Sequence, residues 1–381
     1  MHLERISVHS FRNLASQTIE FDNRLNLFCG ENGQGKTNIL EAIYILGNLK
    51  SFRTIRNGDL IRYDSPSGFV AGSIIRGEFR DELSVEVTPS CKRPMLNGNN
   101  PEQISQYLSL MPIVIFSPED GKIIRGEPEY RRRFLDRCIF SIDPLYLTEL
   151  QRYNKVLTHR NNLLRMGDTS SLETWDHELA RWGSVIVSKR KRQATLLYPL
   201  AAEHYRLLSG TGHHLSVTYL STIGKEQMNG EEEIARSFMD RLVTRRKEEM
   251  IRKTTLTGPH RDDLMVMIDG REARKFASQG EQRTAALTLK MAELTLVEDS
   301  RGYPPILLLD DLASEIDEVR LERIMAHLAG KRGQMFITTT DAGSVTTRYH
   351  KGVALFSVSQ GTIRQRFLLT ARNRGIPLEH R

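Results

Sequence analysis

The sequence predicts an α/β fold with a second, largely helical lobe. Three observations support this prediction. A Gly-rich loop near the start of the chain lies between an apolar strand pattern and a helical pattern, a second apolar strand pattern near the end stops in two aspartates, and a long helical block separates the two. We therefore expect one strand-rich unit built from both ends of the chain, with the helical block inserted into it.

The Gly-rich loop is the stretch FCGENGQGKTN, residues 28–38, which fits the phosphate-binding pattern G-x-x-x-x-G-K-[ST]. The apolar LNLF before it is typical of a buried strand, and TNILEAIYIL after it has helical spacing. In this setting the backbone N–H groups of the loop point at phosphate oxygens. The residues that we expect to bind a nucleotide are Gly30, Glu31, Asn32, Gly33, Gln34, Gly35, Lys36 and Thr37.

The motif also predicts the chemistry of the site. Lys36 is expected to reach the β- and γ-phosphates of ATP, and Thr37 to hold Mg²⁺. The strand pattern ILLLDD supplies Asp310 as a second Mg²⁺ partner and Asp311, pointing the other way, to polarise the attacking water. Asp is one methylene shorter than Glu, so we expect slow hydrolysis, with Lys36, Asp310 and Asp311 as the catalytic groups.

The charge distribution separates the middle of the chain from its ends. The net charge of the 381 residues is +7, and residues 121–255 hold 24 Lys and Arg against 17 Asp and Glu, so the whole excess lies there. Such a block is typical of a nucleic-acid-binding surface, with an ordinary solvated helical surface as the alternative. The candidate DNA contacts are Arg131, Arg132, Arg133, Lys189, Arg190, Lys191 and Arg192.

The remaining composition indicates a cytoplasmic protein without a membrane partner. No apolar run approaches the roughly 18 residues of a membrane span, and the N-terminus reads as a first strand rather than a leader. The three scattered cysteines show no C-x-x-C spacing, which suits reduced thiols.

The secondary-structure pattern divides the chain into a head and a lobe. Residues 1–120 and 256–381 are strand-rich and are expected to form the head, and residues 121–255 a helical, basic second lobe. Apolar residues at helical spacing recur in two long segments of this lobe, and Pro199 is expected to kink or end the second of them.

The segment SQGEQ has two possible roles. Ser278 and Glu281 form a capping box that opens a long amphipathic helix. A helix N-terminus with Ser and Gly is also an anion site, and one chain needs only one γ-phosphate site. We therefore expect Ser278 and Gly280 to bind, in trans, the nucleotide that a second copy of the chain holds.

The order of the phosphate-binding loop, SQGEQ, LLLDD and SEID resembles the ABC-type ATPase heads, with SQGEQ as their signature loop and SEID, residues 314–317, as their D-loop. The stretches FRNL, GENGQGKTNILEAIY, FSPED, RRRFLD, TGPHRDD and LLLDDLASEID together resemble the RecF family of bacterial recombination-mediator ATPases, which is similar to the heads of SMC proteins. The resemblance covers nearly the whole chain. It implies an ABC-type P-loop ATPase head with a helical second lobe.

The same resemblance implies a DNA clamp that ATP closes by joining two copies of the chain. It implies recognition of gapped, junction or single-stranded DNA and a weak DNA-stimulated ATPase in which ATP binding matters more than turnover. It further implies that RecR and RecO are partners in loading RecA, in support of DNA repair, replication and the SOS response.

Two alternatives to the clamp stay open at this point. One is the ATPase subunit of a transporter, although Thr340 stands where such subunits carry a His. The other is a P-loop kinase for a small molecule, which has no use for SQGEQ. A third open question is TGPHRDD, where His260 to Asp263 form either a metal cluster or a hydrogen-bonded turn.

Overall fold

A computed structural model of the chain describes residues 1–210, 212–224, 230–311, 316–341 and 353–369. Within these ranges the strands are β1 (His2–His9), β2 (Gln17–Glu20), β3 (Leu25–Cys29), β4 (Gly68–Arg76), β5 (Phe79–Val87), β6 (Lys92–Leu96), β7 (Ile113–Phe116), β8 (Leu215–Leu220), β9 (Asp263–Ile268), β10 (Arg271–Glu272), β11 (Ile306–Leu309), β12 (Met335–Thr339), β13 (Val353–Ser359) and β14 (Thr362–Leu369). The helices are α1 (Lys36–Asn48), α2 (Ile104–Ser109), α3 (Lys122–Arg125), α4 (Pro128–Ile142), α5 (Leu145–Met166), α6 (Leu172–Ser209), α7 (Glu231–Arg252), α8 (Ala273–Phe276), α9 (Gln279–Arg301) and α10 (Glu318–Ala329). Short 3₁₀ turns span Asn57–Leu60 and Pro118–Gly121.

The chain divides into two compact units. Unit 1 comprises Met1–Asp120 with Val297–Arg381, and unit 2 comprises Gly121–Leu296. The secondary-structure pattern led us to expect residues 256–296 in the head, and the structure places them in unit 2 instead. The reason is strand pairing and packing, because β9 pairs with β8 and the apolar face of α9 joins the core of unit 2.

Unit 1 contains two sheets. The first is antiparallel in the order β2-β1-β4-β5-β6. The second has the order β14-β13-β3-β12-β11-β7 and is parallel except for the hairpin β13–β14. The parallel strands β3, β7, β11 and β12 are apolar and almost wholly buried, as expected of strands covered on both faces.

Helix α1 packs against strands of both sheets, which explains why it is apolar nearly all round. The contact is close: a Cβ on Gly47 would lie 2.8 Å from the carbonyl oxygen of Met111, and one on Gly72 2.6 Å from a methyl group of Leu46. Because α1 starts at Lys36, this packing fixes the end of the phosphate-binding loop.

Unit 2 is built mainly from helices, but it also holds a three-stranded antiparallel sheet in the order β10-β9-β8. Leu179, Ile186 and Tyr153 are fully buried in its core, while Trp175 and Trp182 are partly buried against it. Leu179 and Ile186, which lie in a segment with apolar residues at helical spacing, thus form part of this core. The prediction of a largely helical second lobe gave no place to the strands β8 and β9, which follow the long helices.

Helix α6 does not end at Pro199 but continues for 38 residues in total, from Leu172 to Ser209. Proline removes the N–H that would bond to the carbonyl of Thr195. Both Pro199 and Thr195 are exposed, so water can satisfy that carbonyl. In the described part of the chain, no helix is both long and apolar enough to cross a bilayer.

Candidate functional site

The phosphate-binding loop connects β3 to α1, and its glycines are required by the backbone. A Cβ on Gly30 would lie 2.3 Å from the carbonyl oxygen of Val358 in β13, so no larger residue fits. Gly33 and Gly35 have φ values of +79° and +114°, a region that L-residues with side chains avoid. The loop therefore has a backbone conformation that depends on glycine, as the motif predicts.

Lys36 is held over this loop by the loop's own backbone. Its Nζ donates to the carbonyl oxygens of Gly30 at 2.5 Å and Glu31 at 2.9 Å, and the residue is buried. A phosphate in the loop would therefore meet an ammonium group that is already in place, so little side-chain entropy remains to be lost on binding.

Thr37 and Asp310 come together although they are 273 positions apart. The Thr37 hydroxyl donates to Asp310 Oδ1 at 2.8 Å, and the Thr338 hydroxyl donates to the same oxygen at 3.0 Å. Burial raises the pKa of the Asp310 carboxyl, and the two hydroxyl hydrogen bonds oppose that rise. A hydroxyl and a carboxylate are hard oxygen ligands, so this pair fits Mg²⁺ with water and phosphate oxygens as its other ligands.

Asp311 lies just after the end of β11, where the backbone turns. Its φ is +48°, and its N–H donates to the Thr338 hydroxyl at 2.9 Å. The expectation that it points opposite to Asp310 assumed extended backbone, whereas β11 ends at Leu309. The direction of the Asp311 side chain is thus set by the left-handed turn, and its role as water-polarising base stays a prediction.

The hairpin turn between β13 and β14 braces the phosphate-binding loop. The backbone N–H groups of Gln360 and Gly361 donate to the side chain and backbone oxygens of Gln34, at 2.7 and 2.9 Å. Asn13 Nδ2 donates to the Gly33 carbonyl on the other side at 3.4 Å. Sequence reasoning missed this brace, because nothing in a local pattern shows that residues 360 and 34 meet.

A basic cluster lies beside the loop and was also missed. Arg12 makes two hydrogen bonds to the fully buried Glu41 at 2.8 and 2.9 Å, and Arg53 donates to Asn38 at 2.8 Å and lies 3.4 Å from Glu41. Asn38 is the residue after Thr37, so the cluster adds positive charge next to the expected phosphates. The stretch FRNL contains Arg12 and was the available signal. The cleft at this position is lined by Arg12, Asn13, Asn38, Arg53, Asp59, Ile61, Arg62 and Tyr63.

The signature loop in unit 2 has the predicted capping box. The Ser278 N–H donates to Glu281 Oε2 at 2.8 Å, and the Glu281 N–H donates weakly to Ser278 Oγ at 3.3 Å. Gln282 Nε2 donates to the carbonyls of Ala273 and Ala277 at 3.1 Å, which ties α8 to α9. Ser278 is exposed on a loop of fixed shape, and the trans role of Ser278 and Gly280 stays a prediction.

The D-loop is only partly described. Ser314 lies outside the described residues, as do residues 312, 313 and 315. Asp317 N-caps α10, since its carboxylate accepts from the Arg320 N–H at 3.0 Å.

The candidate DNA contacts are mostly occupied by partners within unit 2. Arg131 is buried and makes two hydrogen bonds to Asp263 at 2.6 and 2.9 Å. Arg190 is buried and pairs in the same way with Asp136 at 2.8 and 3.0 Å. We therefore withdraw Arg131 and Arg190 as candidate DNA contacts, because their guanidinium groups neutralise carboxylates inside the fold.

The other five candidates differ in their exposure and in the partners that their side chains contact. Lys189 bridges Asp143 and Glu149 at 2.7 and 2.5 Å, and Arg132 donates to the Asp262 carbonyl at 2.8 Å. Exposed Arg133 pairs with Glu129 one turn away on α4, Lys191 is half-buried, and Arg192 is exposed. The two runs therefore form no continuous cationic face.

The TGPHRDD turn is a hydrogen-bonded structure. His260 Nε2 donates to the Thr255 carbonyl at 3.2 Å, so its Nδ1 accepts from the Tyr153 hydroxyl at 2.6 Å. Burial lowers the pKa of His260 to about 4. Asp262 is fully buried and accepts from Tyr219 at 2.5 Å. Over the described ranges no group of three or more His, Cys, Asp or Glu side chains has the geometry of a metal site.

These features together define the class of the protein. A phosphate-binding loop after a buried parallel strand, an aspartate from β11 hydrogen-bonded to the loop's Thr37, and a capped signature loop on a separate unit are the parts of a P-loop ATPase head of the ABC/SMC type.

The comparisons identify the family within this class. The model of the family "RecF/RecN/SMC N terminal domain" matches residues 2–364. The chain is 39% identical to the DNA replication and repair protein RecF of Geobacter sulfurreducens over 95% of this chain and 99% of that protein. It is also 39% identical to the RecF of Halothermothrix orenii over 95% and 98% of the two chains. The chain belongs to the RecF family.

Solved structures agree with this assignment. The recombination mediator protein RecF with ATP, described as part of the RecFOR pathway, aligns with a TM-score of 0.88 at 34% identity over 96% of this chain and 98% of that one. The Smc head domain of Pyrococcus furiosus aligns with a TM-score of 0.55 at 16% identity, which shows the shared fold alone. With the family shown, neither the transporter subunit nor the small-molecule kinase is retained.

Proposed function

We propose that the chain is an ATP-dependent DNA clamp of recombinational repair, closed when Mg·ATP joins two copies. The observation that supports the ATP half of this proposal is the hydrogen bond from Thr37 to Asp310, which joins the loop to the carboxylate strand; both oxygen groups suit Mg²⁺. The DNA half is supported by the curated relatives, which are DNA replication and repair proteins.

In this proposal the chain's own residues divide the work as follows. The loop N–H groups and Lys36 hold the phosphates, and Thr37 and Asp310 hold Mg²⁺. Ser278 and Gly280 of the second copy complete the site at the γ-phosphate. Asp311 orients the attacking water with a short side chain, so turnover is slow and ATP binding itself closes the clamp, with DNA stimulating hydrolysis weakly.

The biological setting follows from the relatives. A solved RecF structure that aligns over 96% of the chain is described within the RecFOR pathway. We assign this chain RecR and RecO as partners, RecA loading at gapped, junction or single-stranded DNA as its task, and replication restart and the SOS response as its context. Its place of action is the cytoplasm.

A substitution of Ser278 tests the trans arrangement. Ser278→Arg places a bulky cation where the partner's γ-phosphate is to bind, and the loss of the helix cap costs only about 1 kcal/mol. We expect the variant to bind ATP as a folded monomer and to fail to dimerise in size-exclusion chromatography with light scattering. Ser171→Arg is the matched control, since Ser171 is the N-cap residue of α6 in the same unit and its side chain makes no cap hydrogen bond.

A mixture of two variants sharpens the test. In a heterodimer of Ser278→Arg with Lys36→Met, one composite site carries both changes and the other carries neither. ATP-driven dimers and part of the ATPase activity should therefore reappear in the mixture. If Ser278→Arg cannot bind ATP even as a folded monomer, Ser278 acts within its own chain and the proposed clamp is wrong.

A further inference from the structure

We propose that the exposed face of α5 contacts the phosphate backbone of duplex DNA. This face, the α5 stripe, is defined by Arg152, Lys155, His159 and Arg165. The inference rests on the proposed DNA-binding function and assigns it to a surface other than the two basic runs of the sequence.

The stripe is cationic without compensating acids. Residues 150–166 read LQRYNKVLTHRNNLLRM and contain no Asp or Glu. Arg152, Lys155 and Arg165 are exposed, and within the described parts of the chain none of them forms an ion pair with a carboxylate. Arg190 and Lys189, by contrast, form ion pairs with carboxylates of unit 2. Charges that no carboxylate neutralises remain available to an anionic partner.

Three residues of the stripe share one face of α5, and the fourth lies further around the exposed side of the helix. At 3.6 residues per turn, Arg152, Lys155 and His159 fall within about 60° of one another around the helix axis. Arg165, in the last turn, lies about 80° from Lys155 around the axis but is also exposed, and it donates to Asn162 at 3.1 Å. With a rise of about 1.5 Å per residue, the stripe is about 20 Å long.

The side chains between the cations favour nucleic acid over an acidic protein. The stripe is interleaved with the exposed residues Gln151, Asn154, Thr158 and Asn162. Amides and hydroxyls of this kind commonly contact DNA phosphates. Protein interfaces have an apolar centre, whereas here the large exposed apolar residues, Leu145 and Met166, lie only at the two ends of the helix.

The aromatic residues near the stripe favour a duplex over a single strand. Trp175 is partly buried and covered by the His159 ring, with 4.8 Å between the ring centroids. Trp182 is partly buried beneath the guanidinium of Arg152 at 4.8 Å and that of Arg181 at 5.3 Å. Single-strand binders offer free aromatic faces on which bases stack, and neither ring here is free. The stacking also holds Arg152 in place before any ligand arrives.

Two acids on α5 and the adjacent α6 have partners of their own. Glu149, in the first turns of α5, is held by Lys189 at 2.5 Å. Glu178 on the adjacent α6 accepts from the Trp182 indole N–H at 3.2 Å and pairs with Arg181 at 3.7 Å. Both carboxylates thus have partners other than the stripe cations.

The test compares two triple variants of the full chain with ATP present. Arg152→Gln, Lys155→Gln and Arg165→Gln together remove three stripe charges. The matched control combines Lys275→Gln, Arg245→Gln and Arg252→Gln, three exposed cations of the same unit that each pair with a nearby glutamate. Binding to a labelled duplex and to a single strand of equal length is measured by fluorescence anisotropy over a range of KCl concentrations.

We expect the stripe variant to lower the log–log salt slope for duplex by up to about 2.7, since each lost phosphate contact removes about 0.9. At 0.1 M salt this corresponds to binding weaker by about 10²-fold to 10³-fold, and the control should keep the slope of the unmodified chain. Lys155→Glu, at an exposed residue, should weaken binding without changing the melting temperature. Adding a cation at exposed Gln151, with Gln151→Lys, should steepen the slope by about 0.9.

Three results would overturn the inference. A duplex slope that the stripe variant leaves unchanged assigns the stripe to an acidic protein partner or to solvent. A loss confined to the single strand contradicts the duplex. Equal losses in the stripe and control variants show a diffuse charge effect. If the unmodified chain binds neither DNA with ATP, the proposed function itself fails, which is a different result.

Discussion

The buried charges at the expected nucleotide site of unit 1 and a buried arginine of unit 2 differ in their hydrogen-bond partners. In unit 1 the buried ammonium of Lys36 donates to two backbone carbonyls, and the buried carboxylate of Asp310 accepts from two hydroxyls. In unit 2 the buried guanidinium of Arg160 is bonded to Asp176 at 2.6 Å and to Glu249 at 2.7 Å. The two charges at the expected nucleotide site, Lys36 and Asp310, are thus satisfied by neutral groups, whereas Arg160 is neutralised by two carboxylates.

The difference indicates which unit is built to receive a charged ligand. An ion left without a counter-charge in a buried site is costly, and it is retained where a ligand supplies the counter-charge. Phosphate oxygens would pair with Lys36, and Mg²⁺ with Asp310. Arg160 is already paired, so no ligand is needed to compensate it. The four predictions below test this contrast, in order of decreasing effect.

Lys36→Met removes the buried ammonium group that donates to the backbone carbonyls of the loop in unit 1. A charge-assisted hydrogen bond contributes about 1.5–3 kcal/mol, so we expect ATP binding to weaken by about 10²-fold and ATP-driven dimers to disappear. The fold should persist, because the charge has no carboxylate partner to strand. Light scattering with and without ATP measures the first effect, and thermal melting the second. A variant that dimerises with ATP like the unmodified chain would show that the loop is misassigned.

Arg190→Met tests the paired charges of unit 2. It leaves the carboxylate of Asp136 without its partner, and breaking a buried pair from one side costs about 3–5 kcal/mol. Urea unfolding measures this loss. The double variant Arg190→Met with Asp136→Leu removes both charges and should recover part of the stability. If the single variant is as stable as the unmodified chain, the pair is not structural.

Asp310→Asn should affect stability through pH. Burial raises the pKa of Asp310 in the folded chain, so folding favours its protonated form, and the stability this group contributes is lost as pH rises through the folded pKa. Asparagine avoids that loss. Without nucleotide, the variant's melting temperature should rise relative to the unmodified chain from about pH 4 upward, by a few degrees for about 1 kcal/mol. A difference that stays constant with pH would mean that Asp310 does not titrate in this way. With Mg²⁺ and ATP the order should reverse.

Arg192→Gln should have the smallest effect, within about 0.5 kcal/mol in urea unfolding, because Arg192 is exposed. It is the matched control for Arg190→Met, two positions away on α6. A destabilisation comparable to that of Arg190→Met would contradict the contrast between the two residues.

Short contiguous motifs were predictable from the sequence, and their long-range partners were not. Gly30 to Thr37 fix their own backbone through glycines, and Ser278 with Glu281 closes a hydrogen-bonded ring within one helical turn, so both are encoded locally. The contact of Gln34 with Gln360 depends on strand order, which no local pattern contains.

The basic runs show the limit of charge counting. The sequences RRR and KRKR do not reveal that Asp263 and Asp136 lie opposite Arg131 and Arg190. A charge excess states how many cations a region holds, whereas burial and pairing decide which of them face solvent. The absence of acids over residues 150–166 is visible in the sequence and is the signal on which the proposed α5 stripe rests.

The position of β3 in its sheet has a consequence for biosynthesis. Both neighbours of β3, the strands β12 and β13, are translated late, and Val358 and Gly361 contact the loop from the hairpin that β13 forms with β14. At about 5–20 residues per second, the ribosome reaches them roughly 15 to 60 seconds after β3. The nascent chain therefore carries every residue of its phosphate-binding loop long before it can form one. We therefore expect a polypeptide truncated before β12 to contain the motif but to lack the strands and the hairpin that support the loop.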